Sequence, residues 1–250
     1  MSINMVIANQ KGGVGKTTSA SSLAHGLALH NRHVLLVDFD PQGQCATALG
    51  INQEPGVFNA LVNTHSDIHQ WIREADRTGL YLLPGDRSTA TAQIVINAEN
   101  RPINSIHLLF KTLAKEYDYI IFDTAPSVGG IQERAIYAAD MVLIPTATEF
   151  LSMDGLAQMM ELLTALRNQH NWNGKLAGIL PTFYDEQTSE SRESLAELKT
   201  TFGDSVLAPI HRATVLRECP AEGRTIFELA PASRSSREYE ELSREIVKRS

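Results

Sequence analysis

The sequence predicts an α/β protein with three layers: a mostly parallel twisted sheet with helices on both faces. Three observations carry that expectation. Short apolar runs alternate with longer amphipathic stretches along the chain. Several runs are almost continuously apolar, among them Val34-Leu35-Leu36-Val37 and Tyr119-Ile120-Ile121-Phe122, which suits strands covered on both faces. A glycine-rich turn also joins the first apolar run, Ile3 to Ala8, to a stretch from Ser19 to Leu29 with helical spacing. Strand, turn and helix in that order begin a right-handed βα crossover.

The expected strands are Asn4 to Ala8, His33 to Asp38, Leu80 to Pro84, Tyr119 to Asp123, Met141 to Pro145, Leu176 to Pro181 and Ser205 to Ala208. The segments between them read as helices. Met153, Leu156, Met159, Met160, Leu163 and Leu166 form a core stripe on one of these. No repeat, low-complexity tract or long linker divides residues 1–250, so the chain reads as one domain. In an open sheet of this kind ligands sit beyond the carboxyl ends of the strands.

At 250 residues the chain is ordinary for a single α/β unit. Apolar residues make up 43%, enough for a sizeable core, yet no run nears the roughly 20 residues that span a bilayer. The first residues lead straight into a strand and leave no room for a signal peptide. Cys45 and Cys219 have no CxxC spacing, so they indicate neither a zinc site nor a disulfide framework. A cytoplasmic protein is expected. The net charge of -7 argues against nucleic acid as a partner, but from Val206 onward eight Lys/Arg face seven Asp/Glu, so a local basic face is allowed.

The chemistry concentrates in Ala8-Asn9-Gln10-Lys11-Gly12-Gly13-Val14-Gly15-Lys16-Thr17-Thr18. Glycines let the backbone curl so that successive N–H groups point inward, and the following helix adds its positive dipole end; together they cradle phosphate. Lys16 is placed to reach the β- and γ-phosphates and Thr17 to ligate Mg²⁺. The usual pattern asks for glycine where Gln10 stands; Gly12 and Gly13 can supply the positive φ instead. A second lysine, Lys11, lies inside the loop.

Two more motifs follow in order. Val37-Asp38-Phe39-Asp40-Pro41-Gln42-Gly43 places two carboxylates two residues apart at a strand end, on the same side while the strand lasts. A Mg-nucleotide site needs such groups for the metal's waters and for an attacking water. Tyr119-Ile120-Ile121-Phe122-Asp123 is a buried strand ending in a carboxylate that reaches the Mg²⁺ shell by way of water. Thr124 to Gly130 is then a switch segment, with Gly129-Gly130 giving it room to move.

These residues resemble the ParA/MinD family of ATPases, whose deviant phosphate loop carries the additional lysine. The short ParA type, without an N-terminal helix-turn-helix domain, is the nearest form, and a member that positions carboxysomes, McdA-like, is included. The resemblance runs from about Asn4 to Pro220. It implies a homodimer with ATP between the subunits and Lys11 crossing to the partner's nucleotide. It implies Asp40 activating or positioning water and Asp38 supporting the Mg²⁺ shell from behind. It also implies nonspecific double-stranded DNA as a partner, with nucleoid association, and a ParB-like or adaptor protein that stimulates hydrolysis. The cargo would be a plasmid, a chromosome or a protein-shelled organelle.

By the same resemblance the base lies near Pro181 and Thr182, near Arg212, and near Leu216-Arg217-Glu218-Cys219-Pro220. His211 and Cys219 depart there from the family's usual proline and alanine. The nucleotide residues are thus Gly12, Gly13, Val14, Gly15, Lys16, Thr17, Thr18, Pro181, Thr182 and Arg212, with Thr17, Asp38 and Asp123 around Mg²⁺. Candidates for DNA phosphates are Arg212, Arg217, Arg224, Arg234, Arg237, Lys248 and Arg249.

Rival readings use related loops. A MinD-like membrane switch wants a basic amphipathic tail. Here Arg234 to Arg249 carries Glu238, Glu240, Glu241 and Glu245 beside Tyr239, Leu242 and Ile246, which favours packing on the body and no stable membrane insertion. An electron-transfer protein of the nitrogenase iron-protein kind needs cluster cysteines that are missing. A tyrosine kinase of this loop type wants a tyrosine-rich tail, and only Tyr239 lies there. A metabolic ATP-dependent ligase remains the enzymatic alternative. His65 and His69 stand four apart without a third ligand, so no metal is assigned to them.

Overall fold

The computed structural model describes residues 2–63, 66–126, 130–149 and 153–250. Seven strands form one sheet: β1 (Ile3–Ile7), β2 (Val34–Phe39), β3 (Arg73–Glu74), β4 (Leu80–Leu83), β5 (Tyr119–Thr124), β6 (Met141–Ala147) and β7 (Lys175–Thr182). Their order is β3-β4-β2-β5-β1-β6-β7. Every pairing is parallel except that of β3 with β4.

Alternation along the central strands decides the layers. Leu35 and Val37 enter one core, with Phe110, Ile131, Leu156, Met159 and Leu163 from the helices on that side. Val34 and Leu36 enter the other, with Leu23 and Leu27 of α1 (Lys16–Leu29) and with Tyr239 and Ile246 of the C-terminal helix Arg234–Arg249. Strands with both faces covered must be apolar throughout, and β2 and β5 are buried along their whole length. The methionine-leucine stripe lies in the helix Met153–His170 and packs into the core as expected. So does the apolar face of the C-terminal helix, where Tyr239, Leu242 and Ile246 are buried.

Two expectations change. Ser205 to Ala208 is not a strand: a short 3₁₀ turn, Gly203–Ser205, leads into a single parallel bridge between Val206 and Ile179. Leu207 N–H does bond Ile179 O at 2.9 Å, but Pro209 has no N–H with which to extend the ladder. Conversely, β3 is a two-residue antiparallel edge strand made of charged residues, which an apolar pattern cannot reveal; charge on an edge also blocks further pairing.

The seam between α1 and the C-terminal region is unusually close. A Cβ at Gly26 would stand 2.2 Å from Ser243 Oγ, so only glycine fits without rearrangement. The residue before it, His25, is buried, its Nδ1 2.6 Å from Thr225 Oγ1. Burial holds its pKa down to about 4, with Arg77 acting in the same direction and Glu228 against it. An unfolded chain protonates His25 near its ordinary value of about 6.5, so this part of the stability is complete above that pH. It falls as pH drops from about 6.5 to 4, by at most about 3 kcal/mol. The urea midpoint of the native chain should therefore drop further between pH 7 and 4.5 than that of His25→Gln; equal drops would exclude this source of acid sensitivity.

Candidate functional site

The sheet register assembles the site. Ile7 at the end of β1 and Asp38 near the end of β2 both pair with Asp123 near the end of β5. The loop leaving β1 therefore runs beside two strand-end carboxylates. It is held by its own side chains and by its neighbours. Asn9 Nδ2 donates to Pro145 O at 2.8 Å, and Asn9 Oδ1 accepts from Lys11 N–H at 2.9 Å. Thr182 Oγ1 donates to Val14 O at 2.9 Å. Gly13 (φ 73°) and Gly15 (φ 82°) take the left-handed turns that close the loop, and α1 starts at Lys16 with its first N–H groups facing it.

Lys16 Nζ donates to Lys11 O at 2.8 Å, so the ammonium lies across the mouth of the loop. Burial lowers its pKa, opposed by the charges of Asp123 and Asp40. The adjoining cavity of about 560 Å³ is walled by Lys16, Thr17, Thr18, Asp40, Gln42 and Phe183, among others. Asp40 is fixed by its backbone: its N–H donates to Asp38 Oδ1 at 3.1 Å, and its Oδ1 accepts from Gln42 N–H at 2.9 Å. It lines the cavity where a phosphate and an attacking water would meet.

Asp38 and Asp123 are fully buried. Burial raises Asp123 to about 6, with the charge of Asp40 adding to the rise while bonds from Thr17 and Cys45 and the charge of Lys16 oppose it. Asp38 is pushed well above the usual carboxylate range by burial and by Asp123 beside it. Asp123 Oδ1 is buried without a hydrogen-bond partner. Two dry carboxylates side by side, one with an orphaned oxygen, are a pair that a cation would stabilise. With the Thr17 hydroxyl adjacent, the two carboxylates offer oxygen donors that suit Mg²⁺. The residues present therefore fit a Mg-nucleotide.

A second cavity, about 370 Å³, continues from Thr17 and Thr18 along α1 to Leu216, Cys219, Pro220 and Arg224. This places the Leu216-to-Pro220 run beside the phosphate loop. Thr182 reaches the loop as well. The Arg212 side chain is 51% exposed and is engaged by Glu149.

The remaining cations divide among several settings. Arg217 lines a hollow with Lys11, Gly12 and Val14, whereas Arg224 Nη2 donates to Glu228 O at 2.8 Å. Arg234 pairs with Glu238 and Glu186, and Lys248 and Arg249 both pair with Glu245. Arg237 is exposed. Of the switch segment, Ser127 to Gly129 lie outside the described residues, as does His65; His69 bridges Asp67 and Glu116.

Three contributors escape sequence reasoning: Asn9, Cys45 and Gly85. Cys45 N–H donates to Asp38 Oδ2 at 2.9 Å and its thiol to Asp123 Oδ2 at 3.3 Å. A Cβ at Gly85 would stand 2.2 Å from Asp38 O. The signal for both is the tertiary register, which spacing along the chain does not carry.

A phosphate loop leaving the central parallel strand β1, with aspartates near the ends of its neighbour β5 and of β2 beyond it, defines a P-loop nucleoside triphosphatase. A model of the AAA domain family matches residues 3–177. The chain is 36% identical over 248 residues to the chromosome partitioning protein ParA of Myxococcus xanthus, covering 97% of this chain and 87% of the relative. It is 35% identical to the chromosome-partitioning ATPase Soj of Treponema pallidum, with 100% and 98% covered. Among solved structures, apo McdA of Cyanothece superposes with a TM-score of 0.88 at 22% identity, covering 99% of this chain and all of that one. The cobyrinic acid a,c-diamide synthase of Mycobacterium smegmatis, with bound ATP analogue and magnesium, gives 0.85 at 28%, covering 99% and 95%. The chain belongs to the ParA/MinD superfamily of P-loop ATPases.

Proposed function

We propose that this chain is an ATP-dependent dimerising switch of the partition type, which binds nonspecific DNA and positions a cargo. The observation that carries the proposal is the loop itself: two lysines, one whose ammonium spans the loop mouth and one whose side chain is directed elsewhere. Lys16 and the α1 N-terminus hold the phosphates, and Thr17, Asp38 and Asp123 hold Mg²⁺. When bound, Mg²⁺ neutralises charge on the phosphate oxygens. Asp40 orients the attacking water. Lys11 supplies transition-state charge to the nucleotide of a second copy, which couples chemistry to dimerisation. An adaptor or ParB-like protein would speed hydrolysis and release the complex from the nucleoid; the cargo would be a chromosome, a plasmid or a carboxysome-like body.

The membrane alternative loses its anchor, because the apolar face of the C-terminal helix is buried against α1. No helix among the described residues is long and apolar enough to cross a membrane. The ligase alternative keeps one supporting observation, the 28% identity to a diamide synthase.

Co-sedimentation with plasmid DNA and with anionic liposomes, each with and without Mg-ATP, separates the readings. DNA retention is expected only with Mg-ATP, weakening with salt at a log–log slope of about −0.9 per phosphate contacted. Arg237→Glu combined with Lys248→Glu, both exposed and away from the phosphate loop, should abolish retention while leaving ATP-driven dimerisation intact. Liposome binding alone would favour the membrane switch. Binding to neither, with ATP turnover dependent on an amide donor and a carboxylate acceptor, would favour the ligase.

A further inference from the structure

We propose that Cys45, Asp38 and Asp123 form a binding site for a thiophilic divalent cation of the zinc type, and that such an ion shuts the Mg-ATP reaction. The proposal does not depend on DNA binding or dimerisation. Register sets Asp38 against Asp123 on adjacent strands. Gly43, at φ 62°, then turns the chain so that the short helix Gln44–Ala48 brings Cys45 back over both. A ligand atom from each of the three residues lies within 4.8 Å of the others, and all three residues are fully buried.

Thr17 and Cys45 both bond the Asp123 carboxylate, yet one of its oxygens is left over. Its Oδ2 accepts from Cys45 Sγ at 3.3 Å, while Oδ1 is buried with no partner. An acceptor stripped of water and left unpaired is expensive, and a cation at the cluster satisfies it. Size agrees. A tetrahedral ion with bonds of about 2.0–2.3 Å holds its donors about 3.3–3.8 Å apart, and the Cys45–Asp123 separation already lies at the short end of that range.

Chemistry decides which ion. Mg²⁺ demands an octahedron of oxygens and gains nothing from sulfur, whereas one thiolate with two carboxylates and a water is a fitting set for Zn²⁺, Cd²⁺ or Co²⁺. Binding exchanges the thiol proton for an S–metal bond and releases that proton to solvent. The two carboxylates are then committed to the soft ion and withdrawn from Mg²⁺.

Co²⁺ is the probe, added to the nucleotide-free chain. One equivalent should produce a thiolate-to-cobalt charge-transfer band that Zn²⁺ erases by displacement. The band should vanish in Cys45→Ser and persist in Cys219→Ser, and Zn²⁺ affinity by competition should fall more than about tenfold in Cys45→Ser. Absence of the band in the native chain, or its survival in Cys45→Ser, overturns the site. Should Cys45→Ser fail to fold, zinc-edge X-ray absorption of the native chain decides: one sulfur among lighter donors supports the site, and oxygen or nitrogen donors alone refute it. Zn²⁺ should also inhibit native Mg-ATP hydrolysis. Since the cobalt and X-ray readouts need no turnover, an inactive ATPase and a missing metal site are told apart.

Discussion

Lys11→Ala is expected to keep Mg-ATP affinity within a few-fold of the native chain while lowering turnover by about a hundredfold or more, the loss typical of removing one preorganised charge from a transition state. The structure separates the two effects within one residue. The backbone of Lys11 builds the loop: its N–H donates to Asn9 Oδ1 and its carbonyl accepts from Lys16 Nζ. Alanine retains both bonds, so the phosphate cradle survives. The side chain is engaged elsewhere, its aliphatic stem lying against Gly155 at the start of the helix Met153–His170. A Cβ built on Gly155 would sit 3.6 Å from Lys11 Cγ and Cδ. In the single chain the stem of Lys11 therefore lies against the protein's own helix, which supports the proposal that its catalytic use is in a second copy. Phosphate release at several protein concentrations and equilibrium nucleotide binding check this together. Native turnover per molecule should climb with concentration. Near-native turnover in the variant, or a native rate indifferent to dilution, would remove the trans-acting role.

The parts of this site that could be read from sequence are those encoded locally. A phosphate loop is a contiguous string, and Asp38 and Asp123 each terminate a run apolar enough to mark a doubly covered strand. Register is not local. That Asp38 stands across from Asp123 follows from β2 and β5 being neighbours, and only then does Cys45, an isolated cysteine by spacing, become the third member of a cluster. The same limit explains Asn9, whose partner Pro145 comes from β6, and the arginine hollow beside the loop. The pairing of Arg234 with Glu238 and of Arg249 with Glu245 is different, since both are i,i+4 pairs on one helix. That signal was present in the sequence and weakens any reading of the C-terminal helix as a bare basic face.

Gly85→Ala should destabilise the chain by about 3 kcal/mol, at the upper end of ordinary overpacking, and weaken Mg-ATP binding as well. Gly85 follows β4, and a methyl group there would stand 2.2 Å from Asp38 O and 3.3 Å from both Asp38 C and Asp40 O. These are backbone atoms, so no rotamer relieves the contact; the segment carrying both carboxylates must move. The crossing is tight from the other side too, since a Cβ at Gly43 would meet Gly85 O at 2.6 Å. Gly13→Ala is the informative contrast. Nothing lies within 4 Å of a Cβ at Gly13, and the obstacle is its φ of +73° alone, a penalty of about 1–2 kcal/mol for an L-residue. Steric displacement of Asp38 therefore predicts the larger drop in urea midpoint for Gly85→Ala, accompanied by loss of the Mg²⁺ dependence of nucleotide binding. A Gly85→Ala protein with native midpoint and native Mg²⁺ dependence would mean that the turn after β2 yields freely, and that the position of Asp38 is not set by the β4 exit.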